Sequence, residues 1–154
     1  MLQIALVVLA LGSTPRAAQS AAQTRPDFSG KWTLVSTSSF AGGPLARGGT
    51  ITQDEASVTF TASQGQAVTY RIDGSENSRT TTTVAGVVWG LTSQARWVTN
   101  ALLVTTKYVT NIGQWEDLVV CSLDGDGNLI VVTVSAVKTS QRGMSTETLI
   151  YRKD

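Results

Sequence analysis

The stretch VWGLTSQARWVTNALLVTTKYVTNIGQWEDLVVCSL, residues 88–123, decides the fold class of this chain. Val, Thr, Leu, Trp and Tyr dominate it, and the dipeptide TN interrupts it twice. Such residues favour strands, and interruptions this short are typical of turns between antiparallel neighbours. The stretch therefore predicts three consecutive strands, Val88–Val98, Leu102–Val109 and Trp115–Leu123.

The same pattern continues on both sides of this stretch, with short Asp, Asn and Gly turns near Asp54, Gly65, Asp73 and Asp124. Further strands are predicted at Lys31–Thr37, Thr50–Gln53, Ser57–Ala62, Ala67–Ile72, Arg79–Val84, Leu129–Ala136 and Ser145–Arg152. The fold prediction is an all-β, antiparallel up-and-down barrel of about eight to ten strands, because closure removes exposed edges. A two-sheet sandwich is the alternative.

The N-terminus has the pattern of a signal peptide. Residues 1–11, MLQIALVVLAL, are apolar but too short to span a bilayer, and small and polar residues follow. Cleavage after Ala22 places Ser20 and Ala22 at the small-residue positions before the cut. We therefore predict a signal peptide over residues 1–22, a single domain over residues 23–154, and a secreted or periplasmic location. No membrane span is predicted after processing.

The charges of the predicted mature chain balance. Removal of residues 1–22 takes away Arg16, so that 11 of the 12 basic side chains remain against 11 acidic ones. A nucleic-acid-binding protein typically carries a basic excess on one face. The sequence therefore predicts no nucleic-acid partner, and we expect a monomer.

The residue types that carry most enzyme chemistry are scarce. The chain has no histidine, which excludes the usual serine nucleophile arrangement and histidine-based metal sites, and its one cysteine, Cys121, lies among apolar neighbours typical of a core position. The adjacent acids Glu116 and Asp117, like Asp54 and Glu55, point to opposite faces of a strand and are interpreted as solvated strand ends. We predict no enzyme activity, no cofactor and no metal site.

The stretch LDGDGNLI resembles the opening of a calcium-binding loop, with Asp124, Asp126 and Asn128 at alternate positions. The glycine that such a loop requires next is Leu129, and its twelfth position is Ser135 rather than glutamate. The ligand set is incomplete, so the stretch is interpreted as a hairpin turn.

Two tryptophans indicate a candidate ligand-binding face. On one continuous strand Trp89 and Trp97 share a face with Leu91, Ser93 and Ala95, because side chains alternate between the two faces. The small residues leave room between the two indole rings. We predict that Trp89, Leu91 and Trp97 contact a ligand.

Two arginines near aromatic residues, Arg71 and Arg96, are candidates to neutralise an anionic head group. By alternation, Arg96 faces away from Trp97 unless a bulge intervenes, and Gly90 is a candidate for such a bulge.

The stretch FSGKWTLVSTSSF begins the predicted domain with Phe28, Gly30 and Trp32. Glycine allows close backbone approach, while the indole can plug one end of a small barrel. The stretch resembles the N-terminal signature of the calycin superfamily, which contains the lipocalins and the intracellular lipid-binding proteins. The resemblance implies a calycin-like barrel, here a bacterial-type secreted lipocalin-like protein.

The C-terminal stretch TETLIYRKD resembles the closing strand of the lipid-binding proteins. The resemblance implies a ligand-binding role for Tyr151, while Leu149 stands where that family has the arginine that pairs with a ligand carboxylate. The lipocalin pattern implies that Arg152 stacks on Trp32.

These observations predict an exported barrel that binds a small hydrophobic or amphipathic molecule without transforming it. One alternative is a secreted protein-binding module such as a protease-inhibitor-like barrel, which would insert QTRPD (residues 23–27) or the glycine-rich segment Ser38–Gly49 into its partner. That segment is otherwise expected to form a mobile flap or entrance loop. A structural envelope protein with no specific ligand is the other alternative.

Overall fold

The computed structural model of the protein describes residues 25–38, 45, 47–82, 88–110, 113–137 and 145–154, without the side chains of residues 78–82, 88, 89, 136 and 137. The predicted signal peptide lies outside these ranges. Every regular element within them is a β-strand. In the same ranges no helical segment has the length and hydropathy of a transmembrane span.

Ten antiparallel strands form a single sheet. This confirms the predicted all-β, up-and-down barrel, and the two-sheet sandwich is not observed in the described residues. The strands are β1 (Gly30–Thr37), β2 (Gly49–Gln53), β3 (Ser57–Ala62), β4 (Ala67–Arg71), β5 (Asp73–Thr82), β6 (Val88–Val98), β7 (Ala101–Thr110), β8 (Gly113–Leu123), β9 (Leu129–Val137) and β10 (Ser145–Lys153). Strands that are consecutive in sequence are neighbours in the sheet, except for β4 and β5, and β1 pairs with β10.

The connection between β4 and β5 explains why the sheet curls. These two strands are the opposite edges of the ten-stranded sheet, yet only Ile72 separates them in sequence. Because the chain is continuous, both edges must meet at Ile72, and the sheet must roll up to bring them together. The result is a nearly closed barrel whose one seam lies between β4 and β5.

The predicted turn at Asp73 is wrong, because β5 begins at that residue and not at Arg79. Gly74 has a positive φ of 81°, the Asp73 carboxylate accepts the N–H of Ser75 at 2.8 Å, and the pairing with β6 shifts register between Asp73 and Glu76. These are the local features of a turn, but the sheet absorbs them as a β-bulge. The other end predicted for this strand, Val84, lies outside the described residues.

Short turns occur at the other predicted positions that the structure describes. The N–H of Asp54 donates to the carbonyl of Ser57 at 3.0 Å, and Gly65 adopts a positive φ of 84°. Between β8 and β9, the Asp124 carboxylate accepts the N–H groups of Asp126 and Asn128 at 2.9 and 2.8 Å. LDGDGNLI is therefore a hairpin turn, as predicted. The predicted turn residue Asn111 lies outside the described residues.

Inward-facing side chains alternate with outward-facing ones along the strands, and the inward set forms the core. On β7, Leu102, Val104 and Thr106 are buried at every second position. Cys121 on β8 is 1% exposed, which confirms the core position predicted for it. Among the described residues, the interior of the barrel thus collects side chains that range in sequence from Phe28 to Tyr151.

Candidate functional site

An aromatic cluster closes one end of the barrel. The ring of Trp32 is 2% exposed, and its indole Nε1 donates to the carbonyl of Phe28 at 2.8 Å. The ring of Phe28 lies 5.2 Å, centroid to centroid, from that of Trp97. This cluster, Phe28, Trp32 and Trp97, lies near the β8–β9 turn, because Trp32 pairs with Lys153 and the nearby Tyr151 pairs with Leu129.

Gly30 makes room for a cation above Trp32. It has a positive φ of 139°, and a Cβ atom at this position would collide with the side chain of Lys153. The Nζ atom of Lys153 lies 5.6 Å from the centroid of the Trp32 ring, within the range of a cation–π contact. The prediction that Arg152 takes this place is wrong. Arg152 is exposed opposite Thr33, because alternation turns it away from the face that Lys153 and Tyr151 share.

A cavity of about 210 Å³ lies inside the barrel, on the other side of Tyr151 from Trp32. Inward-facing residues of strands β7, β8, β9 and β10 form much of its wall, and Leu45, Phe60 and Tyr70 complete it. We take this cavity as the candidate functional site.

The wall of the cavity changes from apolar to polar along the strands. Cross-strand pairing sets inward residues side by side in rows, and successive rows are two residues apart. Counted from the closed end, the rows are Cys121, Val131 and Leu149 (the apolar row), Val119, Thr133 and Glu147 (the mixed row), and Thr106, Asp117 and Ser135 (the polar row). The cavity is therefore amphipathic, with its polar part away from Trp32.

The polar part carries negative charge. Asp117 and Glu147 both line the cavity, and the described lining contains no lysine or arginine. Oxygen Oδ1 of Asp117 is buried and has no hydrogen-bond partner in the described part of the chain. The interpretation of Asp117 as a solvated strand end is therefore wrong, because the residue lies within β8 and faces inward, while Glu116 does not line the cavity.

Tyr151 and Cys121 face the cavity as neutral groups. Burial raises the pKa of the Tyr151 phenol above its ordinary value, and the negative charges of ionised Cys121 and Glu147 would raise it further. Burial likewise raises the pKa of the Cys121 thiol to about 12. The hydroxyl of Tyr151 donates to the carbonyl of Leu45 at 3.0 Å. At neutral pH neither group supplies an anionic nucleophile.

Of the four residues predicted to contact a ligand, Tyr151 lines the cavity. Leu91 is buried but does not line it, and Trp97 belongs to the aromatic cluster at the closed end. The side chain of Trp89 lies outside the described residues, although its backbone belongs to β6.

Neither candidate arginine reaches the cavity. Arg71 is exposed and forms an ion pair with Asp73 at 2.7 Å. Arg96 is exposed on the outer face of β6, and the pairing of β6 with β7 runs through Gly90 without a register shift. The bulge that would have turned Arg96 inward is absent from this pairing.

The described part of the segment Ser38–Gly49 contributes to the interior. Leu45 is 3% exposed and lines the cavity, while its carbonyl accepts the N–H of Gly48 at 2.7 Å as well as the Tyr151 hydroxyl. At Leu45 this segment is thus part of the wall and not a free flap. Residues 39–44 and 46 lie outside the described residues.

Sequence reasoning missed Asp117, Glu147 and Leu45. The first two were accessible from alternation, since counting back by twos from Cys121 reaches Asp117, and counting back by twos from Tyr151 reaches Glu147. No comparable signal in the sequence marks Leu45, because its segment has no periodic pattern.

In the described ranges, no group of three or more His, Cys, Asp or Glu side chains is arranged to share a metal ion. Comparison with known proteins assigns the chain to no family: no family model matches its sequence, and no curated protein matches it. The cavity and the residues that line it are therefore the features of the described structure that bear on function.

Proposed function

We propose that the protein is an exported β-barrel that binds a small amphipathic molecule in its cavity without transforming it. The observation that carries the proposal is the cavity of about 210 Å³ with a wall graded from apolar to polar. This volume corresponds to about seven water molecules at liquid density. It lies below the range of about 300–1,000 Å³ that is usual for drug-sized ligands, so the ligand is small.

The terminal motifs support the same proposal. Phe28, Gly30 and Trp32 resemble the signature of the calycin superfamily, and a nearly closed barrel of ten antiparallel strands is compatible with that family. The proposal therefore includes a lipocalin-like relationship. The signal-peptide pattern of residues 1–22 supports export to the periplasm or the medium.

The protonation states of the cavity wall support binding without chemistry. Cys121 and Tyr151 have raised pKa values, so at neutral pH they present a neutral thiol and a neutral phenol to a ligand. Such a wall can hold a molecule through apolar contact and hydrogen bonds.

Native mass spectrometry of protein purified gently from its own host tests the proposal, together with titration by 1-hexanol followed through tryptophan emission. We expect an extra small-molecule mass, or saturable binding of 1-hexanol, in the unmodified protein. Val119→Phe fills the mixed row and should abolish both. Val109→Phe makes the same change on the outer face, where Val109 is 49% exposed, and should abolish neither. No extra mass and no saturable response in the unmodified protein would overturn the proposal.

The described N-terminal residues do not favour the protein-binding alternative. The side-chain amide of Gln53 donates to the carbonyl of Pro26 at 3.0 Å and accepts the N–H of Phe28 at 3.2 Å. These bonds hold the segment before Phe28 against β2, so its insertion into a partner would require both to break. A co-purifying protein in the same experiment, in place of a small molecule, would favour this alternative.

A further inference from the structure

We propose that the cavity selects a cation, namely a small primary ammonium compound whose charged head contacts Asp117 and whose apolar chain points toward the closed end. This inference rests on the proposed function and specifies the chemistry of its ligand.

The charged head is assigned to Asp117 because one oxygen of its carboxylate lacks a partner in the described part of the chain. Asp117 is one of the residues that line the cavity, and its Oδ1 atom is buried and accepts no hydrogen bond in the described part of the chain. A carboxylate oxygen that is shielded from water and left without a donor is unfavourable. An ammonium group supplies both the opposite charge and three N–H donors, which makes it the simplest chemical complement to this oxygen.

Glu147 adds a second negative charge to the same cavity. Strand β9 lies between β8 and β10, and Glu147 is one row nearer the closed end than Asp117, so the two backbones are about 12 Å apart. At this separation Glu147 raises the negative potential of the cavity, while Asp117 makes the direct contact. The low-polarity walls of a cavity strengthen such a potential.

The arrangement disfavours an anionic ligand. A carboxylate ligand would enter a cavity that contains two carboxylates and, among its described lining residues, no lysine or arginine. The two arginines with aromatic neighbours in sequence, Arg71 and Arg96, are exposed outside the barrel. Charge repulsion of this kind gives specificity against the wrong ligand as well as for the right one.

The spacing of the rows suits a short amphipathic chain. On β8, Asp117 in the polar row and Cys121 in the apolar row are four positions apart, a rise of about 13 Å. Ser135 lies beside Asp117 in the polar row, and its hydroxyl is a second acceptor for an ammonium head. An alkyl chain of about six carbons that starts at Asp117 would therefore reach the apolar row.

The charge preference of the cavity is tested with three probes of nearly equal size, which are cationic, neutral and anionic: hexylammonium, 1-hexanol and hexanoate. Their affinities for the unmodified protein would be measured by isothermal titration calorimetry at neutral pH and constant ionic strength. We expect hexylammonium to bind about tenfold or more tightly than 1-hexanol, as for a hydrogen bond to a charged group, and hexanoate to bind most weakly.

Asp117→Asn removes the charge and keeps the shape of the side chain. We expect this variant to bind hexylammonium no more tightly than 1-hexanol, with the affinity for 1-hexanol unchanged. Asp126→Asn is the matched control, because it removes a carboxylate from the exposed β8–β9 turn and should leave all three affinities unchanged. If Asp117→Asn does not fold, the ranking of the three probes on the unmodified protein still decides the question.

The outcomes separate this inference from the proposed function. Equal affinities for the three probes, or a preference for hexanoate, would overturn the cation assignment while a binding cavity would remain. Failure of all three probes to bind would overturn the inference, and if native mass spectrometry also shows no extra mass, it would overturn the proposed function as well.

Discussion

The hydroxyl of Tyr151 donates a buried hydrogen bond to the backbone carbonyl of Leu45 at 3.0 Å. The bond joins the last strand to the segment before β2. Tyr151→Phe removes it, while the Leu45 carbonyl keeps the N–H of Gly48 at 2.7 Å. Because no polar group is left without a partner, we expect the free energy of unfolding to fall by only about 1 kcal/mol, measured by urea denaturation.

Thr59→Val provides the comparison for that measurement. It removes the exposed hydroxyl pair between Thr59 and Thr69, which are 2.8 Å apart. An exposed hydroxyl can exchange its partner for water, so the expected change is within about 0.5 kcal/mol. A larger loss for Thr59→Val than for Tyr151→Phe would contradict this account of the interior.

Gly30→Ala should destabilise the protein. Gly30 has a φ of 139°, which L-residues rarely adopt, and an added Cβ would collide with the Lys153 side chain. We expect a loss of about 1–3 kcal/mol in the free energy of unfolding, measured by chemical denaturation. The control is Gly125→Ala in the β8–β9 turn, where an added Cβ meets nothing within 4 Å. Equal effects at the two positions would show that Gly30 is not required for its conformation.

Lys153→Met tests which cation lies over Trp32. The Nζ atom of Lys153 is 5.6 Å from the ring centroid, so its replacement should cost about 0.5–1 kcal/mol of the free energy of unfolding. The matched change Arg152→Met alters the neighbouring exposed cation and should have an effect close to zero. The loss of stability is measured by thermal or urea denaturation. A larger loss for Arg152→Met than for Lys153→Met would favour Arg152 as the cation over Trp32, as the resemblance to the lipocalins implied.

Stability should decrease at alkaline pH in a way that depends on Cys121. Burial raises the pKa of this thiol from 9.0 to about 12, so between these values the unfolded chain releases a proton that the folded protein retains. The unfolded state then binds fewer protons, and the free energy of unfolding falls as the pH rises above 9, by at most about 1.4 kcal/mol per pH unit. Below pH 9 this contribution to stability is fully present.

Cys121→Ala isolates this effect. Tyr151 also has a raised pKa and contributes a similar alkaline loss to both proteins, so the difference in slope between them belongs to Cys121. Urea denaturation between pH 7 and pH 10.5 measures both slopes. Parallel curves for the two proteins would mean that the thiol ionises as easily in the folded state as in the unfolded one.

The strands were predictable from sequence because their signals are local. Alternation and turn residues place β3 and β6 at the predicted bounds, Ser57–Ala62 and Val88–Val98. Asp73 shows where local signals fail, since a carboxylate that accepts the N–H two residues ahead serves a hairpin turn and a β-bulge equally well. The choice is made by pairing with β6, about twenty residues away in sequence.

The cavity was less predictable because it depends on which side chains meet. Trp97 has the aromatic character of a ligand-binding residue, but the folded N-terminal segment brings Phe28 against it, and the two rings help to close the barrel end. Alternation alone places Asp117 on the inner face, but it does not reveal that the interior beside Asp117 is empty. That space depends on Leu45, Phe60 and Tyr70, which come from other parts of the chain.

The pairing of β1 with β10 governs the order in which the barrel can assemble. Asp154 forms an ion pair with Lys31 at 2.7 Å and accepts the Thr33 hydroxyl at 2.6 Å, so these contacts join residues more than a hundred positions apart. A nascent chain can form the hairpins from β5 to β9 during translation, but it cannot complete the cylinder until β10 leaves the ribosome. Loop closure of that length slows folding, so the newly made chain stays unfolded for longer than a chain whose contacts are all local.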